Sequence, residues 1–410
     1  MPWDMAIIIP NWLARSLLKV NSRMKKQVTI IGGGIVGMAM AALLAQQKLD
    51  TLIIDAAPMI PNQNNQTDLR VYAINHASQK IFNRIGIWQD IVKHDIGIYR
   101  NMHVWDQNSS GQLLFDAQTL AKSELGFIIE EKIIKNALLE HLQNIGHVTL
   151  LGENKLHDFH YHDTAKIHLE LGSGESIQTN LVIGADGANS WLRKKLQFNC
   201  QATPYEHHAL VCNLETELPH DNTAYQIFTD CGPLAFLPLS GKNQCSIVWS
   251  QPEKRINQLI NLSDSDFQIE LAKSFQNKLG KIIKISKRVN FPLIERVVDP
   301  FVKPGVALIG DALHTIHPLA GLGVNLGLGD VVSLADILEQ AGDEFCVFKT
   351  LRKYERARKG SVLATTKLMK LIKNTFSDQG LIPAPIRGMG MNFITHSNFI
   401  KRQIIGFADR

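Results

Sequence analysis

Apolar residues along this chain fall into short runs that stop at glycine. Val28–Ile31 is one such run, of the length and composition of a buried strand. It is followed by glycines and then by Met38–Gln46, apolar and rich in helix formers. Thr51–Ile54 is a second buried-type strand and Asp55 closes it. The pattern recurs at Leu181–Ile183, which leads into a Gly184, Asp186, Gly187 turn and a short helix over Ser190–Leu196. It recurs again at Val306–Ile309, which Gly310 ends, with a helix predicted over Asn325–Leu338. Residues 230–250 differ: they read as two strands around a Ser-Gly-Lys-Asn turn. The basic stretch after Gly360 has helical period, with Lys367, Lys370 and Lys373 on one side and Leu368, Leu371, Ile372 and Phe376 on the other.

The first glycine cluster is G-x-G-x-x-G: Gly32, Gly34 and Gly37. Gly32 permits a tight turn, Gly34 lets the backbone approach a pyrophosphate, and Gly37 lets the helix sit close on the strand. The helix N-terminus then offers free N–H groups to phosphate. Asp55, 18 residues after Gly37, is placed to accept from a ribose hydroxyl. Strand, helix, strand and acid in this order point to a dinucleotide.

The third cluster narrows the choice. Asp311 stands just past a strand, where α/β sheets make ligand contacts. Its carboxylate suits the hydroxyls of a polyol chain. Gly321 and Gly323 free the backbone before a helix whose N-terminus suits a ring that gains negative charge on reduction. A flavin has both parts. His314 and His317 have metal-ligand spacing, but no third His or Cys stands nearby, so no metal is expected. The second cluster is weaker; Asp186 and Arg193 are placed to orient a phosphate or a nicotinamide.

Length and composition fit this picture. A chain of 410 residues, 45% hydrophobic and 20% charged, makes interleaved subdomains rather than one small core. Five cysteines without a CxxC argue for a reducing compartment. The net charge of +5 is uneven: Leu351–Arg410 holds 12 Lys/Arg and 3 Asp/Glu, or +9, which leaves −4 for the rest. A basic tail on an acidic body suits an anionic surface, or else a solvated helix face. No nucleic-acid partner, transmembrane helix or secretory leader is expected. Residues 1–23 read as an extension ahead of the first strand.

The three clusters together resemble the flavin-dependent aromatic hydroxylases of the p-hydroxybenzoate hydroxylase type. "GDALHTIHPLAGLGVNLGLGD" (310–330), "LRKYERARKG" (351–360), "DLRVYAINHASQKIFNRIGIW" (68–88) and "GFIIEEKIIKNALLEHL" (126–142) resemble the ubiquinone-biosynthesis branch, the polyprenylphenol and polyprenyl-6-methoxyphenol hydroxylases. The resemblance implies that Gly32, Gly34, Gly37 and Asp55 bind the ADP part of FAD and that Arg70 lies beside its phosphates. It places Glu131 and Asp186 at FAD or NAD(P)H. Gly310 and Asp311 would hold the ribityl chain, and Gly321, Leu322, Gly323, Val324 and Asn325 would face the ring. Two departures stand out: Leu322 replaces the usual Gln, and Asp55 the more frequent Glu.

The fold implied is mixed α/β. A Rossmann-like FAD domain (24–199, with an inserted substrate-facing segment at about 95–125, and 301–345) interleaves with an antiparallel-sheet substrate domain (200–300). A basic helical region (346–410) follows. With one dinucleotide motif, NADH or NADPH must dock transiently. The resemblance further implies a flavin C4a-hydroperoxide, formed with O2, that hydroxylates a polyprenylated phenol. Phe236, Leu237, Pro238 and Trp249 are candidate lining residues, and the sequence singles out no catalytic base. The expected setting is cytoplasmic, with a peripheral contact at the inner face of the membrane and a homo-oligomer or biosynthetic complex left open. A hydroxylase of a small soluble aromatic acid and a non-catalytic flavoprotein of a biosynthetic complex remain as alternatives.

Overall fold

The computed structural model describes residues 23–62, 67–163, 166–316, 321–376 and 382–409. Its first sheet is built on parallel strands in the order 306–308, 176–184, 23–31, 51–54 and 148–151. Val28, Leu52, Ile53, Leu181, Val182 and Ala307 in these strands are fully buried, as a sheet covered on both faces requires. Helix α1 (Ile35–Gln46) lies on it with ten of its twelve residues buried. Helix α2 (His76–Ile85) follows, capped by the Asn75 side chain, which accepts from the Ser78 N–H, and stopped by Gly86 in the left-handed conformation. Helix α3 (Glu131–Asn144) packs on α1.

The second sheet is largely antiparallel. Its strand order is 314–315, 289–298, 200–216, 244–252, 232–238, 223–229, 101–106 and 112–116. Strands 101–106 and 112–116 come from the middle of the first half of the chain and so stitch the two sheets together. One face of this sheet is covered by α4 (Glu253–Asn261) and α5 (Asp264–Ser274) through Phe236, Trp249, Ile256, Phe267 and Phe275. On the other face the Asn213 side-chain N–H donates to the Asp68 carbonyl at 2.9 Å, in the segment ahead of strand 71–74.

Helix α6 (Leu322–Ala341) starts three residues before the predicted Asn325, because Gly321 at φ +62° supplies the turn into it. It packs on α1 and on α7 (Phe348–Phe376). Helices α8 (Ala384–His396) and α9 (Asn398–Ala408) end the described chain. The expected two-sided character of α7 is corrected. Leu368, Ile372 and Phe376 pack against Val104, Phe228 and Met391, whereas Leu371 points to solvent. Lys373 is not on an open basic face: its Nζ lies 3.2 Å from the Tyr205 carbonyl and 4.6 Å from the Tyr205 ring centre. Leu368, Ile372 and Phe376 on this helix are covered by the protein itself, while Phe348, Leu363 and Leu371 are exposed. Residues 1–22 and His317 lie outside the described residues.

Candidate flavin site

Three neighbouring parallel strands end together, and each delivers one glycine cluster. The Ala185 N–H donates to the Ile31 carbonyl at 2.8 Å, and the Ile309 N–H to the Gly184 carbonyl at 3.0 Å. The clusters then interlock. A Cβ on Gly32 (φ +110°) would lie 2.3 Å from the Ala185 oxygen, so this approach admits only glycine. Val36 at the start of α1 is pinched between Gly310 and Gly327, where a Cβ would come within 3.1 Å and 3.0 Å of its side chain. Carboxyl ends of parallel strands beside a helix N-terminus form the standard crevice for a ligand in such sheets.

The glycines differ in purpose. A Cβ on Gly37 would stand 2.0 Å from the Gly32 oxygen, so Gly37 serves packing. Around Gly34 there is nothing within 4 Å and its φ of −77° is ordinary, so its bareness serves an incoming group. Asp55 braces this loop. Its Oδ2 accepts from the Gly33 N–H at 2.5 Å and its Oδ1 from the Ala57 N–H at 2.7 Å. Each oxygen keeps a lone pair for a ribose hydroxyl.

Asp311 rides on a short 3-10 turn, Gly310–Ala312, with Gly310 at φ +59°. Its carboxyl opens to the crevice but is walled by protein. Loss of hydration raises its pKa above the ordinary carboxylate value, against the opposing pull of His314, Arg70 and Arg296. Asp186 is half committed: Oδ2 accepts from the Leu192 N–H at 3.1 Å, while Oδ1 is buried with no protein partner. An orphaned carboxylate oxygen awaits a donor. Arg70 is largely exposed at the mouth, 3.5 Å from Glu131, which also accepts from the Tyr72 hydroxyl at 3.3 Å.

Three expectations need correction. The Asn325 side chain is spent inside the protein. Its N–H groups donate to the Ala73 and Gly321 carbonyls at 2.7 and 2.9 Å, and its oxygen accepts from the Ser78 hydroxyl at 2.7 Å and the Asn75 N–H at 3.2 Å. What the start of α6 offers here is backbone: Leu322, Gly323 and Val324 open α6, where N–H groups have no intrahelical partner. Of Leu322 only the backbone is described. Arg193 is likewise unavailable, donating to the Ala312 and Ala188 carbonyls at 2.8 and 2.6 Å. Phe236 and Trp249 point away from the crevice; Phe236 stacks on Phe275 at 3.7 Å, and Trp249 packs with Phe267. Pro238 pairs with Cys245 of that same cluster. Side chains alternate along a strand, so only Leu237 of the four lies on the other face of the sheet, where it packs against the same apolar cluster as Val71 and Ala73.

A buried network escaped the sequence reading. Asp330 is fully buried, with Oδ2 at 2.7 Å from His314 Nε2 and 3.1 Å from the Gly310 nitrogen. Its Oδ1 accepts from Arg358 Nε at 2.8 Å. Burial would raise the Asp330 pKa, but the charges and hydrogen bonds of His314 and Arg358 prevail and hold it below the ordinary range. His314 is thus committed to a carboxylate.

The FAD binding domain family matches residues 25–368. The 3-demethoxyubiquinol 3-hydroxylase of Escherichia coli K12 is 35% identical over 386 residues, covering 93% of this chain and 98% of that protein. The chain belongs to the FAD-dependent hydroxylases of ubiquinone biosynthesis. The human mitochondrial ubiquinone biosynthesis monooxygenase COQ6 is 30% identical, with 93% of this chain and 92% of that protein covered. In fold, the hydroxylase superposes on p-nitrophenol 4-monooxygenase PnpA of Pseudomonas putida DLL-E4 with a TM-score of 0.77 at 18% identity, covering 94% of this chain and 98% of that one. The cofactor is FAD, and the residues present fit it: an open Gly34, an orphaned Asp186 oxygen and unpaired N–H groups at the start of α6.

Proposed function

We propose that this hydroxylase adds one hydroxyl to the ring of a polyprenylated phenol, consuming NADH or NADPH and O2 and releasing water. Bound FAD supplies the redox chemistry, accepting a hydride and activating O2. The protein holds and shields it. Gly34 gives the pyrophosphate its approach, Asp55 takes a ribose hydroxyl, and Asp311 takes the ribityl hydroxyls. The N–H groups of Leu322, Gly323 and Val324 stabilise negative charge on the reduced ring. Arg70 and Glu131 sit at the phosphate end, and the free oxygen of Asp186 orients a polar group of the cofactor.

The observation that carries the substrate class is the row of side chains facing the crevice. Asn213, Ser246 and Leu237 align across three strands, and Val211, Val248 and Ala235 align two residues on. Gln226 extends this second row, and Val104, beside it, is covered by α7. None of these is charged. An apolar wall with a few neutral polar groups suits a phenol with a hydrocarbon tail and excludes water from the reacting ring. A small aromatic acid calls for a cation to pair with its carboxylate, and these rows hold none.

Among the described residues no helix is long and apolar enough to cross a membrane. We infer that the protein works on its lipid-borne substrate from the cytoplasmic side, at the inner face of the membrane. A homo-oligomer or a biosynthetic complex is compatible with this arrangement. Incubation of the flavin-loaded protein with NADH or NADPH, O2 and a polyprenylphenol tests the reading. A product 16 mass units heavier is expected; reductant consumption unchanged by any phenol contradicts it.

A further inference from the structure

A stripe of large apolar side chains on α8 and α9 lies uncovered. Ile386, Met389 and Phe393, at positions i, i+3 and i+7 of α8, are 59%, 72% and 69% exposed, and Phe399 in the first turn of α9 is 73% exposed. Single exposed apolar residues are ordinary; three large ones along one helical face, with a fourth on the next helix, are not.

The opposite side of α8 is bolted to the second sheet. Arg387 Nε lies 3.1 Å from Asp106 Oδ2, and both side chains are almost fully buried. The Gln112 N–H donates to Asn392 Oδ1 at 3.1 Å and the Leu114 N–H to Thr395 Oγ1 at 3.2 Å, so α8 occupies the edge of strand 112–116. A Cβ on Gly111 would lie 2.4 Å from the Gly388 Cα. The apolar stripe is therefore presented on a fixed footing.

Charge decides what covers it. From Ile382 to Ala408 the chain has no Asp or Glu, but has Arg387, Lys401 and Arg402. Arg402 is exposed, as are Lys367 and Lys370 on α7. An apolar face without acids and with exposed cations on its own and a neighbouring helix is complementary to anionic lipid. The position agrees. The Asn75 side-chain N–H donates to the Ala408 carbonyl at 2.5 Å, and the Asn75 backbone N–H donates to Asn325, so α9 ends beside the helix that opens the flavin site.

We propose that α8 and α9 form the face on which the enzyme lies on an anionic membrane, with Ile386, Met389, Phe393 and Phe399 set among the lipid headgroups. This rests on the reading of the substrate as a lipid-borne phenol, and it moves the membrane contact from α7, whose Leu368, Ile372 and Phe376 are covered by the protein. The test is flotation of the flavin-loaded protein with vesicles of phosphatidylglycerol and phosphatidylethanolamine, beside vesicles of phosphatidylcholine alone. The parent should float with the anionic vesicles and much less with the neutral ones. Phe393→Asp with Phe399→Asp should weaken binding by about tenfold or more. Phe393→Ser with Phe399→Ser should fall between. FAD content, melting temperature and turnover of a short-chain phenol in detergent should match the parent in both variants. Absence of parent binding to anionic vesicles, or equal binding by parent and Asp variant, overturns the proposal. So does a dimer that the Asp variant splits without loss of vesicle binding, which would make the stripe a self-interface. Normal vesicle binding by a protein that hydroxylates no polyprenylphenol would instead count against the substrate reading alone.

Discussion

Asp330 accepts a hydrogen bond from the backbone N–H of Gly310 at 3.1 Å, although 20 residues separate them. A fully buried carboxylate thus fixes the turn that presents Asp311 to the crevice. Asp330→Ala removes the partner of both Arg358 and His314. Breaking such a buried pair costs about 3–5 kcal/mol. The variant should melt well below the parent and retain less FAD, measured by thermal unfolding and by the flavin-to-protein absorbance ratio. An unchanged melting temperature would show that the network does not carry load.

Asp311→Ala should behave in the opposite way. Asp311 is solvent-exposed in the crevice, so although the surrounding protein raises its pKa, solvent screens most of the effect of its ionised form on the apoprotein. Removing it should leave the melting temperature of the apoprotein equal or higher at pH 7. Loss of hydrogen bonds from a charged acceptor, worth about 1.5–3 kcal/mol, should weaken FAD binding by about ten- to a hundredfold. Flavin fluorescence titration reads the affinity directly.

Gly34→Ala and Gly37→Ala separate the two purposes of the first motif. The space around Gly34 is open, so its variant should fold like the parent and fail at FAD binding. At Gly37 a methyl group would collide with the Gly32 carbonyl, so that variant should lose both stability and FAD. Equal thermal stability of the two apoproteins would refute the distinction.

Asp409 ties the end of α9 to the FAD domain through Lys122 at 2.5 Å and His76 at 3.4 Å. Burial works to raise its pKa, but hydrogen bonds to His76 and Lys122, with their charges, bring it down to about 2. A depressed folded-state value means that the stabilisation is present above the ordinary value of about 3.8 and is lost as pH falls toward 2. Asp409→Asn should therefore destabilise at pH 7 by up to about 2 kcal/mol, less what solvent screens. The gap between variant and parent should close between about pH 4 and pH 2 in denaturant titrations.

The glycine clusters were legible because strand, turn and helix are local. Gly32, Gly34, Gly37, Asp55, Gly310 and Asp311 stand at one crevice because each closes or follows a strand of one parallel sheet. The phase of the second sheet was not legible. Whether Leu237 or Phe236 meets the crevice depends on which face α4 and α5 cover, and they follow in sequence. The same holds for α7: its two-sided pattern was visible, but not that Tyr205 and Phe228 would take up Lys373 and Phe376. Asp330 and Asn75 act across 20 and 250 residues, and no local pattern marks such pairs.

The central claim is that this chain inserts one atom of O2 into the ring of a polyprenylated phenol. The most direct measurement is turnover of the flavin-loaded protein under 18O2 with NADH or NADPH and a polyprenylphenol in detergent, followed by mass spectrometry of the product. The account predicts a single 18O on the ring and one reductant consumed per hydroxyl formed. Reductant oxidised to yield only hydrogen peroxide, with the phenol recovered unlabelled, would contradict it.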